Sequence, residues 1–87
     1  MLSRTPHPGA FLRSALARAS LTAAEAARRM EVSLNLVSEI QLGKRRITPR
    51  TALKLAMILD VPAGDWLHWQ ADYDLARARR KIASARP

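Results

Sequence analysis

Two helical patterns meet in this chain with only Glu31 and Val32 clearly between them. That spacing restricts the fold more than any other feature. The earlier pattern opens at Thr22–Glu25, "TAAE", a Thr cap with Glu three residues on, which is a capping box. It continues through Met30 with Ala23, Ala26, Ala27 and Met30 as a small inward face and Arg28 and Arg29 outward. The later pattern runs from about Ser33 to about Leu42 and stops at Gly43, which fits the left-handed position after a helix end. A junction this short makes a tight corner between two helices.

The flanking segments are helical too. Pro8 suits the first turn of a helix because its missing N–H would have no helical partner. That helix runs to about Ala19, with Phe11, Leu12, Ala15, Leu16 and Ala19 as its buried stripe. Thr48 and Pro49 cap and start a fourth helix, which extends to about Asp60 and buries Ala52, Leu53, Leu55, Ala56 and Leu59. Val61-Pro62 breaks it. A longer fifth helix spans about Ala63 to about Lys81. No stretch alternates as a strand does, and no internal repeat is present. The expected fold is all-α, five helices in one domain over residues 1–87, with the paired helices at about 22–43 and the last helix and basic tail at about 63–87.

Composition narrows the function. Fifteen Lys and Arg oppose seven Asp and Glu, a net charge of +8, which is the electrostatic footprint of a polyanion binder. Hydrophobic residues make up 48%, enough to argue for a packed core rather than a disordered basic tail. With no cysteine, neither a disulfide framework nor a thiolate metal site is open to the chain, and a reducing cytoplasm suits it. No apolar run reaches the roughly 18 residues of a membrane span. The opening "MLSRTPHPGAF" lacks the apolar centre of a secretory signal. His7 and His68 are far apart, the acids are scattered, and no catalytic motif, metal set or cofactor loop is present, so no enzyme, metal or cofactor is expected.

At about 100° per residue, Leu36, Val37 and Ile40 share one face of the third helix. Leu34, Asn35, Ser38, Gln41 and Leu42 share the other, which carries almost no charge, and Lys44-Arg45-Arg46 follow the stop. This is the arrangement of a helix-turn-helix reader, whose second helix enters the major groove of double-stranded DNA. A groove floor offers donors, acceptors and thymine methyls rather than fixed charges. Asn35 suits adenine, Ser33 and Ser38 suit either kind of base pair, and Leu34 suits a thymine methyl. Lys44, Arg45 and Arg46, with Thr22, are the expected phosphate contacts. An RNA binder would show stacking aromatics on its basic face, yet none lies between Phe11 and Trp66.

On the fifth helix, Trp66, Trp69, Gln70 and Tyr73 share a face, and Leu67, Ala71 and Leu75 form a second stripe nearby. Two stripes exceed what one small core needs. The aromatic stripe, Trp66, Trp69, Gln70 and Tyr73, is therefore the expected dimer interface. Beyond it Arg77, Arg79, Arg80, Lys81 and Arg86 are all positive. That placement favours a helix C-terminus and offers further phosphate contact. A membrane role is not expected, since a dimer would cover the aromatic stripe.

Several segments carry a family resemblance. They are His7-Pro8-Gly9, Ala27 with Val32, Glu39-Ile40, "GKRRIT" at Gly43–Thr48, "TALKLA" at Thr51–Ala56 and "WLHWQADYDL" at Trp66–Leu75. On these, residues 7–75 resemble the HigA-type antitoxins, a branch of the Cro/C1-like (XRE) helix-turn-helix proteins. The resemblance implies a five-helix dimer that represses its own operon at a palindromic operator. It also implies a partner, a RelE-like mRNA-cleaving toxin that the protein neutralises. It places base reading at Ala23, Leu34, Asn35 and Glu39. Three positions depart from the family pattern: Ala23 stands for Gln, Glu31 for Gly and Asp65 for an aromatic residue. A stand-alone repressor without a toxin would share every DNA-reading feature.

Overall fold

The computed structural model describes residues 5–85, and every regular element within them is helical. The order is α1 (Pro8–Arg18), α2 (Ala23–Met30), α3 (Leu34–Gln41), α4 (Pro49–Ile58) and α5 (Ala63–Ala85). The starts follow the capping chemistry. Thr22 and Glu25 close the capping box in both directions, Ser33 caps α3 by accepting from Leu36 N–H, and Thr48 caps α4 ahead of Pro49. His7 caps α1 through Nδ1, which accepts from Gly9 N–H at 3.1 Å.

Three consecutive helices end in the same way. Ser20, Glu31 and Gly43 take left-handed backbone with φ of 56°, 58° and 76°. Around each, two reversed hydrogen bonds tie off the last carbonyls: Leu21 to Leu16 and Ser20 to Ala17, Val32 to Ala27 and Glu31 to Arg28, Lys44 to Glu39 and Gly43 to Ile40. Leu21 and Val32, the residues after the first two turns, pack against the core. Only the third of these turns uses the residue that makes it cheap.

The core comprises Leu12 and Leu16 of α1, Ala26, Ala27 and Met30 of α2, Val37 and Ile40 of α3, Ala52 and Leu55 of α4, and Trp66 of α5. Ile47, from the α3–α4 loop, and Leu59 complete it. Each large side chain buried this fully contributes roughly 1.5–3 kcal/mol of transfer free energy. Gly9 lets α1 sit on the end of α3: a Cβ there would collide with the Ile40 carbonyl oxygen and lie 2.8 Å from that of Gln41.

Three expectations are corrected. Ala19 is the exposed cap of α1, because the chain has already turned toward Ser20. Leu53 is exposed, because α4 turns Thr51, Ala52 and Leu55 inward instead. α5 continues past Lys81 to Ala85. Arg86 of the expected basic tail lies outside the described residues. No helix among the described residues is long and apolar enough to cross a membrane.

Candidate nucleic-acid interface

The inward face of α3 is anchored by Val37 and Ile40, so the opposite face is fixed outward. Leu34, at 51% exposure, and Asn35 stand at the start of that face, with Ser38 and Glu39 one turn on and partly exposed. Ser33 Oγ is occupied by its own helix cap, which leaves its hydroxyl proton to donate. Thr22 is likewise committed as an acceptor, taking Glu25 N–H at 3.1 Å. The Thr22 backbone N–H and then its hydroxyl contact hold the Glu25 carboxyl below the usual carboxylate range.

The loop after α3 carries the charge. Arg45 donates from Nε and Nη2 to Glu39 Oε1 at 3.1 and 2.9 Å. Glu39 therefore holds Arg45 and is not a free acceptor for a base edge. Arg46 pairs with Asp74 Oδ2 at 2.9 Å. Lys44 is exposed and forms no ion pair among the described residues. Arg13 donates to the Gln41 carbonyl at 2.7 Å and so satisfies one of the end carbonyls of α3.

α5 holds this loop in place. Gln70, 4% exposed, accepts Ile47 N–H at 2.8 Å and donates to Asp74 Oδ1 at 3.0 Å. A relay of polar contacts thus runs from the buried loop backbone through Gln70 and Asp74 to Arg46. Tyr73 stands edge-on to His7, ring centroids 6.2 Å apart, and Arg77 lies over its ring at 5.7 Å. The His7 ring in turn covers Gly43, where a Cβ would meet it at 3.0 Å.

These contacts overturn part of the expected dimer interface. Trp66 has no exposed surface and Gln70 almost none, so neither can touch a second chain. Trp69 stacks on Phe11 at 4.3 Å and is partly buried; Tyr73, also partly buried, is engaged by His7 and Arg77. The aromatic stripe belongs to the protomer's own core and to the support of the basic loop. The second stripe, at Ala71 and Leu75, is the exposed one. Gln70's role was not readable from sequence, because its partner is a backbone N–H 23 residues away.

Comparison with known proteins agrees with this geometry. A family model described as helix-turn-helix matches residues 12–66. An addiction module antidote protein of a HigA family from Coxiella burnetii superposes with a TM-score of 0.85 at 31% identity, covering 94% of this chain and 90% of that one. The antitoxin HigA of Pseudomonas aeruginosa, solved with the higBA promoter, gives a TM-score of 0.83 at 30% identity, with 97% of each chain covered. An uncharacterized HTH-type transcriptional regulator of Escherichia coli K12, YddM, is 28% identical over 85 residues, which are 98% of this chain and 90% of that protein.

Proposed function

The chain belongs to the helix-turn-helix family, in its HigA branch, and from that premise we propose that it is a cytoplasmic, DNA-reading autorepressor and antitoxin. The observation that carries the DNA reading is the outward start of α3, where Leu34 and Asn35 project uncharged from a rigid helix beside the Lys44–Arg46 loop. Asn35 meets adenine, Leu34 a thymine methyl, and Ser33 and Ser38 flank them. Lys44 and Thr22 contact phosphates, and Arg45 and Arg46 join them by exchanging Glu39 and Asp74 for the backbone. A homodimer sets two recognition helices about 34 Å apart on a palindrome. The promoter complex of the Pseudomonas antitoxin supports this reading.

The partner is a RelE-like toxin encoded beside the gene, a role supported by the antidote and antitoxin names of the structural relatives. Two measurements test the two halves. Binding to the chain's own upstream region should weaken by about 1–3 kcal/mol in Asn35→Ala, with little change on scrambled DNA. Equal loss on both sequences would remove Asn35 from base reading. Expression of the adjacent short reading frame should arrest growth, and this protein should rescue it and co-purify with it. If no rescue or complex is seen, the protein is a stand-alone repressor.

A further inference from the structure

The last three turns of α5 leave the body of the protein. The molecule measures 49 × 22 × 19 Å, and a 23-residue helix is about 34 Å long. Residues 77–85 are all exposed. A helical overhang this short is marginal by itself in water.

Its sequence is patterned for company. Ala71, Leu75, Ala78, Ile82 and Ala85 follow one another at spacings of four, three, four and three residues. That is the heptad seam of a coiled coil. All five are exposed, Leu75 by 51% and Ile82 by 62%. The seam lies about 120° around the helix from the Trp66–Gln70–Tyr73 face that packs inward.

We propose that this seam receives the same seam of a second copy, antiparallel, with Leu75 opposite Ala78 of the other chain. The inference rests on the homodimer of the proposed function and states which surface makes it. In this register Ala71 falls opposite Ile82, so each of these layers sets one branched side chain against one alanine. A parallel pairing would stack Leu75 on Leu75 and Ala78 on Ala78, alternating crowded and empty layers. Charge selects the same direction. Asp72 comes within a turn of Arg79 of the second copy, and Asp74 within a turn of Lys81. A parallel pairing lays Asp72 and Asp74 beside their own copies and Arg77–Lys81 beside theirs. Within the protomer Asp72 has only a 3.5 Å contact with His68, whereas Asp74 also keeps Arg46 and Gln70. The arm starts beside the Arg46–Asp74 pair, so the two DNA-facing loops are held at a fixed separation by the paired arms.

The chain has no cysteine, which allows a direct test on the full-length protein. Ala71→Cys and Ile82→Cys variants are prepared singly, mixed under reducing conditions and then oxidised. The expected result is a covalent dimer in the mixture and none in either variant alone, since like positions lie about 16 Å apart along an antiparallel pair. Cross-linking of each variant alone would mean a parallel pairing and overturn the proposal. Wild-type dimer in sedimentation with no cross-link in the mixture would place the interface elsewhere, leaving the dimeric reader intact. A wild-type monomer would overturn both. Arg79→Asp should weaken self-association roughly fivefold to tenfold across its two symmetric pairs, and Asp72→Arg in the same chain should restore it. Unchanged association in Arg79→Asp would remove these charges from the interface.

Discussion

Glu31 sits in left-handed backbone at φ 58°, where a glycine would be free of the Cβ penalty. Only one position separates it from Ser33, the cap of α3, so the chain has no other place to turn. Glu31→Gly should therefore stabilise the fold by about 1 kcal/mol, read as a higher urea midpoint at unchanged slope. The loop cations differ in a way their sequence hides. Arg45 is held by Glu39 and Arg46 by Asp74, whereas Lys44 forms no ion pair among the described residues. Lys44→Ala should lower the slope of log affinity against log salt by about 0.9, and Arg45→Ala by less. A Glu39→Gln variant should release Arg45 and tighten binding to any DNA at low salt. The identity of the cations was legible in the sequence. Their pairing was not, because Asp74 lies 28 positions from Arg46.

At the scale of elements, the helix starts were legible because each is set by residues within one turn. Thr22 with Glu25, Ser33, and Thr48 with Pro49 all act where they were expected to. Helix ends were less so, since Ser20 and Glu31 take a conformation that their side chains do not advertise. The faces of α4 and α5 were misread for a different reason. Periodicity shows that a stripe exists, but not which neighbour will cover it. On α5 the Trp66–Tyr73 stripe and the Ala71–Leu75 stripe both repeat at helical spacing, and the packing against α1, α4 and the loop decides between them. Gln70 marks the choice, joining α5 to Ile47 across the core. Gln70→Ala should leave a buried N–H without a partner and cost about 1–3 kcal/mol in denaturant unfolding. It should also blur the loop's hold on DNA while sparing the Asn35 contact.

Across the whole molecule, a body of four helices and the inner half of α5 carries an arm that touches nothing else in the protomer beyond Arg77. Association through that arm links stability to concentration. The thermal midpoint should rise as protein concentration is raised through the dimer dissociation constant, and the rise should vanish in Arg79→Asp. An unchanged midpoint across a hundredfold range would separate folding from association. The sequence by itself determined the helices, the capped corner between α2 and α3, the outward uncharged face at Leu34 and Asn35, and the basic loop. Each of these depends on residues within a turn or two of one another. The tertiary structure alone decided that Trp66 and Gln70 belong to the core, that Glu39 and Asp74 restrain two of the three loop cations, and that the exposed seam is Ala71–Leu75–Ala78–Ile82. Those outcomes depend on contacts between segments far apart in the chain, which local periodicity and capping chemistry do not encode.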